Sequence, residues 1–259
     1  MIADMIDSHC HLDLAAFDGD RDAVVARAAA AGVVGMVVPG VRPRTWDALR
    51  ELGRRHAAVG LRVALGIHPQ VVPELSAVEL AGDLAARLAE AAEGACAIGE
   101  CGLDGATGGH DAQEAIFRAH VRAARATGKP LIIHVLRAHD AAPRILREAG
   151  PVTGVLHSYS GGAELVPVYA DLGLAFSFAG PVTYPNARRP VAAARAVPDA
   201  LLLAETDAPD QAPAAHRGQR SEPAFVADVI AGLAAARGAT VEAIAALTTA
   251  NARRLFAAW

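Results

Sequence analysis

The sequence predicts an α/β fold, a (β/α)8 TIM barrel with an extra C-terminal helix, in a single domain spanning residues 1–259. Three observations support this prediction. Eight short apolar segments of β type alternate with longer segments of helical periodicity. The length of 259 residues suits eight βα units. The first strand ends in HCHLD rather than in a Gly-rich phosphate loop, which disfavours a doubly wound sheet.

The predicted elements follow each other in regular alternation. The strands cover residues 1–7, 33–40, 61–69, 95–103, 130–135, 152–159, 174–182 and 200–209. Helical segments such as 18–32, 76–94 and 112–128 lie between them. In these segments apolar residues recur at i, i+3, i+4 and i+7, charges lie on the other face, and several segments close with glycine. The tail 241–259 provides the extra helix.

Composition excludes several classes of protein. The chain is 53% hydrophobic, yet it has no uninterrupted apolar run of ~18 residues, so we predict no membrane span. Its first residues, MIADMIDSHCH, carry acids where a signal peptide has a basic segment, so we expect a cytoplasmic protein. The cysteines Cys10, Cys96 and Cys101 are odd in number and form no CxxC pair, which argues against a disulfide framework and a thiolate zinc site.

Net charge limits the kind of nucleic-acid partner. The formal charge is −4 and the pI is about 6.2, so the strongly basic footprint of a protein that grips long duplex DNA is missing. A nucleic-acid substrate stays open, with phosphate recognition confined to local arginines and metal ions. Lys129 is the only lysine, and the other basic residues are arginines, which suit bidentate phosphate contacts.

Polar residues collect where the predicted strands end. Active sites of (β/α)8 barrels lie at the carboxyl ends of the strands. Six of the eight predicted strands end in residues that can bind a metal or transfer a proton, namely His9, His11, His68, Glu100, Asp104, His134, His157 and Asp207. A closed barrel brings these ends to one mouth, where a cluster of imidazoles and carboxylates indicates a metal site.

The spacing of His9 and His11 supports a metal site. Side chains two residues apart in a strand point to the same face, so both imidazoles can bind one ion while Cys10 faces away. Taken singly, a histidine at a strand end is more typical of a hydrogen-bonded structural residue. We interpret the histidines of helix and loop segments in that structural way, namely His56, His110, His120 and His139.

Nine short motifs, in order along nearly the whole chain, carry a family resemblance. They are DSHCHLD (7–13), GIHP (66–69), AIGECGLD (97–104), KPLIIH (129–134), LHSYSGG (156–162), SFAGPVTY (177–184), LLLAETDAP (201–209), RGQRSEP (217–223) and TANARRLF (249–256). In these motifs the sequence resembles the TatD family of metal-dependent hydrolases, within the amidohydrolase-like barrels. The resemblance implies a (β/α)8 barrel with one or two divalent metals and a hydrolytic activity, most often described as deoxyribonuclease.

The resemblance also implies roles for particular residues. Six ligands would form two sets that share one bridging carboxylate. The first set is His9, His11 and Asp207, the second is His134 and His157, and the bridge is Glu100. His68 is similar to a family residue that contacts substrate or assists catalysis. We interpret Glu205 as a residue that orients a ligand rather than as a direct ligand.

Three positions depart from the family pattern without touching the implied ligands. Where many members have an arginine two residues after the strand-5 histidine, this chain has Leu136, which leaves Arg137 as the phosphate contact of that loop. Gly105 replaces an aromatic residue that can stack on a base, and Ser221 replaces an asparagine. The departures bear on the nucleic-acid substrate more than on the hydrolytic chemistry.

The predicted function is that of a divalent-metal-dependent hydrolase, a TatD-type deoxyribonuclease or exonuclease acting on single-stranded DNA or DNA with free ends. Divalent ions lower the pKa of water, and the hydroxide attacks phosphorus or a carbonyl carbon. Asp207 is expected to take the proton, while His68, Arg137 or Arg217 polarises the substrate. Four imidazoles favour Zn, Mn, Co or Ni, although activity in the family is often associated with Mg.

Two other functions stay open. One is an amide, ester or lactone hydrolase of the same superfamily, including an aminoacyl-tRNA deacylase. Such enzymes often bridge their metals with a carboxylated lysine, but Lys129 lies at the start of strand 5, the wrong end of the barrel. The other is an inactive metal-binding barrel, which the complete ligand set disfavours. Arg217 and Arg220 are more plainly interpreted as parts of a solvated loop than as substrate contacts.

Overall fold

Eight parallel strands follow each other around one sheet in chain order. The computed structural model describes residues 4–257. The strands are β1 (Met5–Asp7), β2 (Val33–Pro39), β3 (Leu61–Leu65), β4 (Ala97–Asp104), β5 (Leu131–Leu136), β6 (Gly154–Leu156), β7 (Leu174–Phe178) and β8 (Leu202–Ala204). Every pair of sequential strands is hydrogen-bonded in parallel, which is the connectivity of a (β/α)8 barrel.

The first and last strands, β1 and β8, approach each other and nearly close the sheet into a barrel. The backbone N–H of Ser8, just after β1, donates to the carbonyl of Ala204 at the end of β8 over 3.1 Å. Further along, the N–H of Asp207 donates to the carbonyl of His9 over 2.9 Å. The predicted TIM barrel is therefore confirmed, and the contact between its first and last strands lies next to two predicted ligands.

Helices connect the strands on the outside of the sheet. They are α1 (Arg21–Ala30), α2 (Trp46–Arg55), α3 (Ala77–Leu80), α4 (Leu84–Ala91), α5 (His110–Thr127), α6 (Ala141–Ala149), α7 (Val166–Ala170), α8 (Arg188–Ala196), α9 (Val226–Arg237) and α10 (Val241–Phe256). Each strand is followed by at least one helix, and α10 is the predicted extra C-terminal helix.

The helix predicted over 76–94 is divided in two, which corrects the prediction. Ser76 and Glu79 form a capping box that begins α3. Gly82 then adopts a positive φ of 76°, and the Asp83 side chain accepts hydrogen bonds from the N–H groups of residues 85 and 86 to begin α4. Two local N-terminal caps thus interrupt a continuous apolar pattern.

Several predicted strands are too long at their carboxyl ends. The ladder ends before the predicted segments 66–69, 157–159, 179–182 and 205–209. Ser158 and Asp207 adopt φ values of 41° and 52°, a left-handed conformation that cannot continue a strand. The residues beyond the ladder belong to the barrel mouth. At the other end of the chain, part of the predicted first strand, residues 1–3, lies outside the described residues.

The barrel interior is filled by one buried apolar residue from each strand. These are Ile6, Val37, Ala64, Ala97, Ile132, Val155, Ala175 and Leu203. Ala252 and Phe256 of α10 join this layer. The side chain of Asn251 donates to the carbonyls of Asp199 and Leu202, at the amino end of β8, so α10 covers the end of the barrel opposite the mouth. A second, larger apolar cluster lies between the strands and the outer helices.

The three cysteines are free thiols, with Cys10 and Cys101 buried and Cys96 partly buried. No single helix among the described residues is long and apolar enough to cross a membrane, and only the pair Pro223–Arg237 and Val241–Phe256, bent by 111°, meets that test, by length and composition alone.

Candidate metal centre

Glu100 lies at the centre of the mouth, fully buried within β4. Its Oε2 atom is 3.3 Å from Nε2 of His9 and 3.4 Å from Nε2 of His11. Its Oε1 atom is 2.7 Å from Nε2 of His157 and 3.3 Å from Nδ1 of His134. The two carboxylate oxygens therefore face two different pairs of imidazoles, so Glu100 is placed between two potential metal-binding groups.

His9 and His11 come from the extended segment that follows β1. Their Nε2 atoms are 3.1 Å apart, and Oδ1 of Asp207 lies 3.5 and 3.7 Å from them. Cys10 between them is buried on the other side, where its Sγ lies 3.8 Å from the carbonyl of Val37. The side chains of this segment alternate as the sequence pattern predicted, although the segment lies beyond the end of the β1 ladder.

Asp7 holds this segment against the residues that follow β8. Its Oδ1 accepts from the N–H of Thr206 over 2.9 Å, and its Oδ2 accepts from the Thr206 hydroxyl over 2.5 Å. The N–H of His9 also donates to Oδ1, over 3.3 Å. Burial raises the pKa of Asp7 to about 8, against the effect of these hydrogen bonds. Asp7 thereby places His9 beside Asp207, a role that its position at the end of β1 could have suggested.

Asp104 and Gln70 determine how His134 faces the centre. Oδ2 of Asp104 lies 3.4 Å from Nε2 of His134 and accepts from the Gln70 amide over 2.8 Å. The hydrogen bond with His134 lowers the pKa of Asp104 well below its usual range, although burial opposes it. Asp104 therefore lies on the Nε2 side of the ring, and Nδ1 faces Glu100. Carboxylates hold metal-binding histidines in this way.

Glu205 lies against the outer nitrogen of His157, as Asp104 does against that of His134. Its Oε1 lies 3.5 Å from Nδ1 of His157 and accepts from the N–H of Ser158 over 2.6 Å. Nε2 of His157 is then directed at Glu100, and the His157 ring stacks on His9 with centroids 3.9 Å apart. This geometry agrees with the interpretation of Glu205 as a residue that orients a ligand.

His68 differs from the other four histidines of the cluster. Its Nδ1 accepts from the N–H of Gln70 over 3.1 Å, so in the neutral ring the proton lies on Nε2. Nε2 faces the centre and lies 2.7 Å from Oε1 of Glu100. Burial lowers the pKa of His68, which favours the neutral ring. His68 is therefore arranged as a hydrogen-bond donor facing the centre rather than as a ligand.

The charges of the cluster fit a cation. Neither oxygen of Glu100 has a hydrogen-bond partner that meets normal geometry within residues 4–257, and both are buried. Burial raises the pKa of Glu100, but the surrounding histidines outweigh it and hold the pKa well below the usual range. Burial likewise lowers the pKa of His11, but Glu100 outweighs it and raises the pKa to about 9. A buried carboxylate among converging imidazoles fits a bound metal ion.

Three groups of side chains have ligand atoms close enough to hold an ion, within 4.8 Å of each other. They are His9 with His11 and Glu100, His9 with His157 and Glu205, and His68 with Glu100 and His134. The second and third groups contain Glu205 and His68, whose hydrogen bonds place them as supporting residues. The two imidazole pairs that face Glu100 are therefore the better description of the centre.

Comparison with known proteins identifies the family. A family model described as TatD related DNase matches residues 6–257. The chain belongs to the TatD family. The uncharacterized metal-dependent hydrolase YabD of Bacillus subtilis (strain 168) is 35% identical over 260 residues, covering 97% of this chain and 98% of YabD. The resemblance seen in the sequence motifs is thus confirmed.

Two further comparisons support membership of the TatD family. The crystal structure of the TatD homologue YjjV from Escherichia coli K12 superposes with a TM-score of 0.89 at 31% identity, covering 100% of both chains. A relative from Pantoea ananatis (strain LMG 20103), named 3′-5′ ssDNA/RNA exonuclease TatD, is 33% identical over 263 residues, covering 97% of this chain and 99% of its own. This TatD-family chain is a metal-dependent hydrolase.

The two arginines predicted to bind substrate lie on the mouth of this TatD barrel but apart from the ligand cluster. Arg137 follows β5, is exposed and has a φ of 50°. Arg217 is exposed, and its guanidinium lies 5.3 Å from the ring centroid of Tyr184. Within residues 4–257, neither arginine forms an ion pair or hydrogen bond with the six predicted ligands. Arg220, by contrast, forms an ion pair with Asp20 over 2.8 Å.

His120, His139 and Lys129 of this TatD chain form hydrogen bonds away from the metal centre. His120 is buried, where its Nε2 accepts from the N–H of Ile67 over 3.0 Å. His139 lies 2.9 Å from the hydroxyl of Tyr169. The Lys129 ammonium donates to the carbonyl of residue 95 over 2.6 Å, at the amino end of β5, which leaves Glu100 as the group between the two histidine pairs.

Gln211 is a contact of the centre that the sequence did not predict. Its side-chain amide donates to Oδ2 of Asp207, and its Oε1 accepts from the hydroxyl of Ser158 over 2.9 Å. Gln211 has a left-handed backbone conformation, with a φ of 52°, and so do its two partners, Asp207 and Ser158. It therefore holds the outer oxygen of Asp207 while Oδ1 faces the histidines. No sequence pattern marks this contact, because it depends on the path of the loop after β8.

Proposed function

We propose that this TatD-family hydrolase is a nuclease that cleaves phosphodiester bonds at the free ends of single-stranded DNA, with two divalent ions at its centre. The observation that carries the proposal is the position of Glu100, whose two buried oxygens face two separate imidazole pairs. The choice of substrate is supported by the relative from Pantoea ananatis, which is named as a 3′-5′ ssDNA/RNA exonuclease.

We assign six ligands to the two ions. His9, His11 and Asp207 would hold one, His134 and His157 would hold the other, and Glu100 would contact both. Four imidazoles favour Zn, Mn, Co or Ni over Mg, which prefers oxygen ligands. Bound at this place, the ions would lower the pKa of water and stabilise the negative charge that develops on phosphorus-bound oxygens.

The remaining steps depend on side chains of the chain itself. Asp207 takes the proton of the attacking water, with Gln211 fixing the orientation of its carboxylate. His68 faces the centre through an Nε2–H group and would donate it to a substrate oxygen. Asp104 and Glu205 keep the lone pairs of His134 and His157 directed inward. His68, Asp104 and Glu205 act from buried positions, where hydrogen bonds to charged atoms are strong, while Asp207 and Gln211 are partly buried.

Metal analysis combined with a substrate panel tests the proposal. We expect about two equivalents of divalent metal per chain, as in two-metal hydrolases. The same preparation should release nucleotides from single-stranded DNA with free 3′ ends and act slowly on strands whose 3′ ends are blocked. Turnover of amides, esters or lactones without turnover of DNA would contradict the nuclease assignment and favour the other hydrolase class. Metal binding without turnover of any of these substrates would indicate an inactive barrel.

A further inference from the structure

The arginines of this chain differ in their partners according to their place on the barrel. Many arginines of the outer helices are neutralised by carboxylates, as Arg27 is by Glu222 and Arg144 by Glu114, both over 2.7 Å. On the connections after β5, β7 and β8, four exposed arginines form no ion pair within residues 4–257. We call these four the arginine rim, and they are Arg137, Arg188, Arg189 and Arg217.

The segment that carries two of the rim arginines contains no negative charge. Residues 172–198, which include β7, the loop after it and α8, contain no Asp or Glu. Arg188 and Arg189 begin α8 within this segment. The chain as a whole carries a net charge of −4, and Asp140 and Glu164 act on the pKa of His139 in the opposite direction to Arg189, so the positive charge is concentrated at the rim arginines themselves. Such a surface attracts an anionic ligand and directs its approach.

Contacts between segments connect the rim and Tyr184 with the loops next to the metal centre. Burial lowers the pKa of His139, and the charge of Arg189 lowers it further, so Arg189 lies near the segment after β5. The hydroxyl of Tyr184, in the segment after β7, donates to the carbonyl of Ala212 over 2.9 Å. The residue before Ala212 is Gln211, which contacts Asp207. Tyr184 is therefore connected to a predicted ligand through one short loop.

Tyr184 adds a flat surface to the rim. Its ring is half-buried, its hydroxyl is fixed, and the guanidinium of Arg217 lies 5.3 Å from the ring centroid. Aromatic rings and guanidinium planes are the groups on which unpaired bases stack, independently of sequence. An aromatic surface is thus present at the mouth although Gly105 occupies the position where relatives usually have one.

We propose that the arginine rim and Tyr184 form the path of a single-stranded polynucleotide, holding its phosphates and one of its bases while its end reaches the metal centre. The proposal rests on the nuclease function and specifies the residues that bind the strand away from the scissile bond. A single strand fits better than a duplex, because stacking on Tyr184 requires an unpaired base and the cationic surface is short.

Binding of a strand that resists cleavage tests the rim directly. The probe is a fluorescent, phosphorothioate-linked single strand of about 20 nucleotides, longer than the site of one single-strand-binding fold. For Arg188→Gln/Arg189→Gln in the metal-loaded protein, we expect about tenfold weaker binding by fluorescence anisotropy. The plot of log binding constant against log salt concentration should become less steep by about 1.4, because each of the two lost phosphate contacts contributes about 0.7 to the magnitude of the slope. The control Arg122→Gln/Arg147→Gln, which changes two exposed arginines of α5 and α6, should bind as the wild type does.

Two substitutions of Tyr184 separate stacking from the hydrogen bond of its hydroxyl. Tyr184→Leu removes the ring and should weaken strand binding about tenfold with the salt slope unchanged, because no phosphate contact is lost. Tyr184→Phe removes only the hydrogen bond to Ala212 and should bind like the wild type. Equal losses in Tyr184→Leu and Tyr184→Phe would assign the effect to loop structure and overturn the stacking role.

The outcomes separate this proposal from the proposed function. Binding of the resistant strand does not require hydrolysis, so a protein that fails to cleave DNA but shows the rim effect would refute only the nuclease assignment. If Arg188→Gln/Arg189→Gln binds the resistant strand with the affinity and salt dependence of the control variant, the proposed role of the arginine rim is overturned. Equal affinity for a duplex of the same sequence would overturn its assignment to a single strand.

Discussion

At the scale of single residues, two supporting carboxylates determine which nitrogen each histidine presents. Asp104 lies against Nε2 of His134, and Glu205 lies against Nδ1 of His157. The two rings therefore present different nitrogens to the same oxygen of Glu100. Sequence spacing predicted that these histidines converge, but the choice of nitrogen depends on contacts across the barrel that spacing does not describe.

Asp104→Asn tests this role of the supporting carboxylate. The amide keeps the shape and one acceptor but weakens the hold on the Nε2 proton of His134. We expect about 10–100-fold weaker metal affinity, which is typical of residues that orient ligands. Competition with a metal-binding dye measures it. The control is Asp111→Asn, which changes an exposed carboxylate in the first turn of α5, the helix that follows β4. Unchanged affinity in Asp104→Asn would show that His134 needs no orienting partner.

At the scale of elements, helices hold the barrel from two sides. α10 covers the end opposite the mouth, where Phe256 is 2% exposed and belongs to the inner apolar layer. α5 reaches the connection after β3 through His120, which accepts from the N–H of Ile67. Periodicity predicted both helices, and the (β/α)8 alternation predicted their order. The interpretation of His120 as a structural histidine is confirmed, but its partner Ile67 could not be identified from the sequence, because that contact crosses between two connections.

Phe256→Ala should destabilise the fold without acting on the metal centre. Removing a buried phenylalanine leaves a cavity and costs about 3–5 kcal/mol of the free energy of unfolding. Urea denaturation measures this loss. Val241→Ala, at the exposed start of the same helix, should change the free energy by less than about 0.5 kcal/mol. A similar small change for Phe256→Ala would mean that α10 does not support the barrel interior.

His120 should make stability depend on pH. Burial lowers its pKa from 6.5 to about 4, so the unfolded chain binds more protons between these values. The contribution of neutral His120 is complete above pH 6.5 and is lost as the pH falls toward 4. The stability advantage of the wild type over His120→Gln should therefore shrink by about 2 kcal/mol between pH 7 and pH 5. Urea denaturation of both proteins at the two pH values measures it, and a constant difference would contradict the burial of a neutral ring.

At the scale of the whole molecule, closure of the barrel explains why the sequence was informative. Parallel strands in chain order bring the carboxyl ends of all strands to one mouth, including residues as distant in sequence as His9 and Asp207. Residues predicted at strand ends were therefore also predicted to be neighbours in space. Strand ends, the division of α3 from α4, and the contacts of Asp7 and Gln211 were not predicted. They depend on local caps and loop paths, which apolar periodicity does not encode.

Metal removal should weaken the whole fold. Ions that bind only the folded chain stabilise it by mass action, and here they would also offset the cost of burying Glu100. We expect chelation by EDTA to lower the thermal midpoint by several degrees, and re-addition of Zn or Mn to restore it. Differential scanning calorimetry measures the shift. An unchanged midpoint after complete metal removal would mean that the cluster is stable without ions.

The measurement closest to the central claim is the metal content of Glu100→Gln, determined by mass spectrometry together with hydrolysis of single-stranded DNA. If Glu100 contacts both ions, the variant should keep about one equivalent or less where the wild type holds about two, and hydrolysis should fall at least about a hundredfold. Glu164→Gln, on the segment after β6, is the control. Two retained equivalents with full activity in Glu100→Gln would contradict the bridging role.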